Sequence, residues 1–205
     1  INFTRLILNE NEREVTFRIK NEGDNAVLMQ LWTDRDNIMD KPESIKAPFM
    51  ILPPVFRLNG MDSRTARLQL IDNEESLPKN KESLFWLNIK SIPSADKKEN
   101  SLQIAVKTRI KLIYRPKELS GTLEEAAQEL KWQRDGNGFS VTNNSPYYIT
   151  FFTIKINGST IPDSTMVAPH SSTSFKSLAK NSSGKLSWQI INDYGGVSKT
   201  YTGNL

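Results

Sequence analysis

Two cations in this chain interrupt apolar runs. Arg5 lies within Phe3-Thr4-Arg5-Leu6-Ile7-Leu8, and Lys111 lies between Ile110 and Leu112. A charge in such a strand either points outward from an amphipathic surface or is buried, and burial is costly unless an anion meets it. Two such cations side by side suit a carboxylate, held by charge-assisted hydrogen bonds. A second pattern lies close by: Leu102, Ile104 and Val106 are apolar at every second position. The trio fills the core of its own domain if it faces inward. On an exposed edge it serves a partner instead, which pairs backbone with backbone while alternate side chains enter pockets. Alternation alone does not choose between these. Groups suited to catalysis are sparse. His170 is the only histidine, follows Pro169 in a Ser-rich turn, and reads as a solvated loop residue, since a general base needs a partner and a pocket. The acid pairs Glu74-Glu75 and Glu124-Glu125 sit in polar surroundings and read as solvated faces. No Gly-rich phosphate loop, GxSxG or HExxH motif is present. Cysteine is absent, which excludes disulfides, thiol catalysis and cysteine-rich zinc sites. The expectation is a protein that is not an enzyme and uses neither cofactor nor metal.

The elements that must position these residues read as β-strands. Val15, Phe17 and Ile19 alternate with Thr16, Arg18 and Lys20, the mark of a half-buried strand. Asn21-Glu22-Gly23-Asp24-Asn25 is turn chemistry. Residues 26–33, 64–70, 84–92 and 102–114 read as further strands, the last two as neighbours in a hairpin. Met50-Ile51-Leu52 runs into Pro53-Pro54, which belongs at an edge, a bulge or a turn, because proline cannot donate to a ladder. Short strands at regular spacing indicate a sandwich, and by Arg115-Pro116 the count suits one seven-stranded immunoglobulin-like domain. A linker near residues 116–120 leads to a short helix, in which Thr122 and Glu125 have capping-box spacing. Residues 132, 139–142, 147–156, 166–167, 172–176 and 186–191 are β again, with turns at Asn143-Asn144-Ser145-Pro146 and Asn157-Gly158. The fold class is therefore all-β, with two immunoglobulin-like sandwiches over residues 1–116 and 117–205. Trp32, Trp86, Trp132 and Trp188 all fall within strand patterns and read as core.

Composition agrees. Of 205 residues, 37% are hydrophobic and 24% charged, which is a globular balance rather than a disordered one. The net charge of +4 reads as ordinary solubility charge. Its cations are scattered without interleaved aromatics, so nucleic acid is not an expected partner. No apolar run approaches the roughly 20 residues that span a bilayer, so membrane insertion is not expected. The chain opens at Ile1 without methionine, which points to a processed start.

Several stretches together, in order and spacing, resemble the periplasmic chaperones of the chaperone–usher pathway. They are Thr4-Arg5-Leu6-Ile7, Leu52-Pro53-Pro54-Val55-Phe56-Arg57-Leu58, residues 82–93 and 109–116, Asn143-Asn144-Ser145-Pro146-Tyr147-Tyr148, and Ile190-Ile191-Asn192-Asp193-Tyr194-Gly195. The resemblance implies a boomerang of two domains with a cleft between them. It implies ATP-independent folding, capping and delivery of pilus subunits to an outer-membrane usher. In this family the chaperone lends its strand to subunits that lack their final one, a process called donor-strand complementation. By position, Arg5 and Lys111 would bind the subunit's C-terminal carboxylate in the cleft, and Leu102, Ile104 and Val106 would fill the subunit's groove. Glu82, Arg115 and Asp193 would form a charged cluster fixing the interdomain angle; read from residues alone they are three independent surface charges. The resemblance further implies the periplasm of a Gram-negative bacterium, a removed signal peptide and the short-loop subclass, and it raises the base rate for a cis bond at Leu52–Pro53 without fixing the isomer. The free chain could hide its donor strand by self-association. One tension is internal: Val106 and Lys111 are five apart, so alternation puts them on opposite faces unless a bulge or strong twist intervenes between Lys107 and Ile110. The alternative reading is a two-domain adhesin or ligand-binding module.

Overall fold

The computed structural model describes residues 3–35, 47–71, 77–94, 103–135, 138–162, 165–176 and 184–205. They form two compact units: Ile1–Leu77 with Ser83–Arg115, and Pro78–Glu82 with Pro116–Leu205.

In the first unit the period-2 runs become strands: β1 (Arg5–Asn9), β2 (Glu14–Lys20), β3 (Val27–Asp34), β4 (Phe49–Leu52), β5 (Val55–Leu58), β6 (Ser63–Leu70), β7 (Ser83–Pro93) and β8 (Val106–Arg115). They make a five-stranded sheet in the order β1-β8-β7-β3-β5 and a three-stranded sheet in the order β2-β6-β4. The inward parities bury Phe17 and Ile19 of β2, Ala66 and Leu68 of β6, Phe85, Leu87 and Ile89 of β7, and Ile110, Leu112 and Tyr114 of β8 in one core. Each such large side chain contributes roughly 1.5–3 kcal/mol on leaving water. Phe49 meets Phe85 edge-on at 4.8 Å, linking the two sheets. The chain crosses from β4, at the edge of one sheet, to β5, at the edge of the other, through Pro53-Pro54; the Leu52–Pro53 bond is cis. Proline is tolerated at this corner because no ladder donor is needed there. Instead the Pro54 carbonyl accepts a hydrogen bond from the Leu31 amide at 2.7 Å.

The second unit opens on α1 (Leu123–Gln128). Thr122 caps it by accepting from the Glu125 amide, and the Glu125 carboxylate returns to the Thr122 amide, the reciprocal capping box that the spacing predicts. Leu123, Ala126 and Ala127 face the core. Strands β9 (Lys131–Asp135), β10 (Gly138–Asn143), β11 (Ile149–Ile156), β12 (Ser159–Thr160), β13 (Met166–Val167), β14 (Ser171–Lys176), β15 (Lys185–Ile190) and β16 (Tyr201–Asn204) follow. One sheet runs β14-β10-β9; the other runs β12-β11-β15-β16, with β13 also on β11. Asn157 (φ 50°) and Gly158 (φ 82°) form the two-residue turn between β11 and β12, where both positive angles match the twist of a tight hairpin. Asn143 is 1% exposed and staples two loops, since its amide donates to the carbonyls of Tyr147 and Ala168.

Two expectations need correction. The strand expected over 102–114 begins only at Val106, because residues 103–105 join no ladder. Trp32 and Trp86 are not core residues. Each has the parity opposite to its buried neighbours, Leu31 for one and Phe85 and Leu87 for the other, and lies half-buried on the outer face of the five-stranded sheet. Trp188 is buried, and Trp132 packs partly buried against the second core.

Candidate functional site

Strand β1 runs parallel to β8, and the first pair of its register is Arg5 with Lys111. The two cations that interrupt distant apolar runs are therefore cross-strand neighbours on one face. Arg5 is 6% exposed and Lys111 half-buried. Burial, and then the Arg5 charge, pull the Lys111 ammonium below the usual lysine range. Both causes act in the same sense: two like charges have been partly stripped of water, and an anion placed between them would relieve both.

The same face continues across the sheet. Lys107, Arg109 and Lys111 alternate along β8, opposite Lys90, Asn88 and Trp86 of β7, which stand opposite Gln30, Trp32 and Asp34 of β3. The Arg109 guanidinium lies 4.3 Å and the Lys111 ammonium 5.5 Å from the centre of the Trp86 ring, and Lys107 lies 5.1 Å from that of Trp32. Cations over indole faces gain from the ring's negative face. Arg109 also pairs with Asp34, whose second oxygen accepts from the Asn88 amide at 2.7 Å. Sequence reasoning missed this network. Its signal was the period-2 run of cations at 107, 109 and 111, facing tryptophans of the same parity.

The edge of β8 is covered unequally. Strand β1 pairs only with residues 111–115, so among the described residues the outer edge of 106–110 has no strand beside it. At its start Ile104 is 65% and Val106 58% exposed. Leu102 lies outside the described residues. The β7–β8 register runs unbroken from Ser83 opposite Tyr114 to Ser91 opposite Val106. No bulge intervenes, so Val106 and Lys111 point to opposite faces of the sheet.

The remaining candidates divide between the units. Glu82 belongs to the second unit and is 2% exposed. Its carboxylate accepts from the Tyr148 amide at 2.6 Å, and its own amide donates to the Pro146 carbonyl at 2.9 Å. Asp193 lies half-buried in the turn after β15, where the Asn192 side chain accepts from the amides of Tyr194 and Gly196. Arg115 ends β8 in the first unit, and its carbonyl accepts from the Glu10 amide. His170 is exposed, at a backbone φ of 50°. Among the described residues no group of three or more His, Cys, Asp or Glu comes together to hold a metal, and no helix is long and apolar enough to cross a membrane.

Residues 1–120 match the family model of the pili and flagellar-assembly chaperone PapD, N-terminal domain, and residues 125–202 that of the pili assembly chaperone PapD, C-terminal domain. The chain belongs to the pilus-assembly chaperone family. Its relatives include the probable fimbrial chaperone YadV of Escherichia coli K12, 37% identical over 212 residues, covering 96% of this chain and 86% of the relative. The crystal structure of the E. coli chaperone DraB superposes with a TM-score of 0.86 at 33% identity, over 100% of this chain and 94% of that one. A structure of Salmonella enterica SafA pilin in complex with the SafB chaperone gives 0.88 at 26% identity, over 100% of this chain and 94% of the other. The all-β, two-domain chaperone fold and the role of a fimbrial chaperone follow from this membership.

Proposed function

We propose that this chain captures pilus subunits in the periplasm by lending them the open edge of β8, caps them there, and passes them to an outer-membrane usher without ATP. The observation that carries the reading is that, among the described residues, no strand covers the edge of 106–110, which is bounded at one end by the exposed apolar Ile104 and Val106 and at the other by Arg5 and Lys111. A subunit that lacks a strand exposes core and unpaired backbone, and therefore aggregates. An added strand satisfies the backbone, while Val106, Ile104 and, by extension of the pattern, Leu102 fill the subunit's groove. The pilin complex of the related SafB supports a subunit as the partner.

The geometry also gives the guest a direction. If its terminal carboxylate sits at Arg5 and Lys111, its strand arrives from the Val106 end and runs parallel to β8. Five residues at about 3.3 Å each give it roughly 16 Å of ladder. The opposed faces of Val106 and Lys111 raise no conflict, because side chains enter the groove on one face while the terminal carboxylate reaches the cations on the other.

Periplasmic co-expression with candidate subunits tests the reading. Wild type should co-purify one-to-one with a subunit, and Lys111→Ala should lose it with its own melting unchanged. Unfolding of Lys111→Ala by itself would remove Lys111 from the binding site. A folded wild type that captures no subunit would leave the adhesin-like module as the better reading.

A further inference from the structure

Lys111 serves an external carboxylate in the reading above, on which this inference rests, yet the same sheet face already holds a carboxylate. Asp34 is in the cross-strand row of Lys111, two strands away, with Trp86 between them. At about 4.8 Å per strand their backbones are roughly 10 Å apart, a gap that extended lysine and aspartate side chains can close together. Asp34 is 1% exposed, and both of its oxygens are engaged, one by Arg109 and the other by Asn88. Arg109 reaches it diagonally across Trp86, the residue that separates Asp34 from Lys111. The other cation of this stretch of β8, Lys107, stands two rows further down over Trp32.

We infer that Arg109 is a positioning residue for subunit capture: by holding Asp34 it keeps this buried carboxylate from pairing with Lys111, and so leaves Lys111 for the incoming chain end. A buried carboxylate that loses its partner draws the nearest cation, because an uncompensated charge in the interior is strongly unfavourable. Among the described residues, the cation that shares the cross-strand row of Asp34 on this face is Lys111. An arginine suits the task better than a lysine, since its weakly hydrated planar fork can stack on the indole and bond to the carboxylate at once.

The test titrates the Lys111 ammonium by NMR in the free chain and measures capture of the subunit that co-purifies with wild type. In Arg109→Gln the Lys111 pKa should rise by about one unit or more, as expected for a lysine gaining a buried carboxylate. Capture should weaken about tenfold, the equivalent of one such unit. Adding Asp34→Asn should restore capture, and Asp34→Asn alone should leave it intact. A merely structural bridge gives a different pattern, since either half breaks the same pair and both single variants would then capture poorly. If Arg109→Gln does not fold, Arg109→Lys carries the test, because a single ammonium holds Asp34 less completely. An unmoved Lys111 pKa, or failure of Asp34→Asn to rescue, overturns the inference. The titration needs no subunit, so a wild type that captures nothing refutes the proposed function and with it the link to capture, while the Lys111 pKa still decides whether Arg109 keeps Asp34 from Lys111.

Discussion

Trp86 and Trp188 each sit on an inner strand of a sheet, and the protein uses them in opposite ways. Trp188 shares the inward parity of Leu186 and Ile190. It lies 5.1 Å from Trp132, stacks on Tyr201, and donates its indole N–H to the Ala127 carbonyl. It joins the helix, both sheets and the core of its unit. Trp86 has the outward parity of β7 and lies beneath two cations. One ring fills space; the other is a surface on which charges are arranged. Residue type does not separate these roles, whereas a one-residue change of parity does.

Substitutions can break or sharpen that contrast. The largest effect is expected at Trp188: Trp188→Ala should cost about 3–5 kcal/mol, from a large cavity plus an unmet carbonyl at Ala127. Chemical denaturation would show it as early loss of the second unit. Trp86→Ala removes cation contacts of about 0.5–1 kcal/mol each and partial burial, for a total near 2 kcal/mol, and its main readout should be weaker subunit capture. Equal stability losses at the two positions would erase the distinction.

Alkaline pH probes the same outer face. The folded-state pKa of Lys111 lies below its unfolded value, so the cost of keeping it charged is present at low pH and relieved as pH rises from the folded pKa toward 10.5. Binding of an anion has the opposite sense. Capture should fall as pH climbs through that window, and Lys111→Arg, which stays charged, should hold capture to higher pH. Pull-downs across a pH series would show it; identical profiles for the two proteins would argue against a titrating Lys111. The smallest stability effect belongs to Val106→Ser, within about 0.5 kcal/mol because the side chain is largely exposed. Capture should nonetheless drop severalfold, as measured by subunit titration.

Much of this architecture is legible in the amino-acid order itself. Alternation locates β2, β6 and β7, the capping box locates α1, and Asn157-Gly158 locates its hairpin, because each is governed by local chemistry. The interruption of apolar runs singles out Arg5 and Lys111, but their adjacency does not follow, since the parallel pairing of β1 with β8 joins residues 106 positions apart. Arg109 escapes notice because a cation on a strand reads as solvent-facing until its partner is known, and Asp34 lies on the second strand over. Trp32 and Trp86 mislead because large and aromatic suggests core, and parity decides otherwise, whereas Trp188 and Trp132 do join the second core.

From Lys111 onward the edge of β8 is occupied, so a guest laid along 106–110 enters a lane closed at its far end. A blind alley of this kind measures from the tip of what enters it. If a guest's terminal carboxylate sits at Arg5 and Lys111 as proposed, which of its side chains fall beside Val106 is set by counting back from that terminus, whatever the sequence upstream, and a chain with a few extra residues at that end would be misaligned along its whole length.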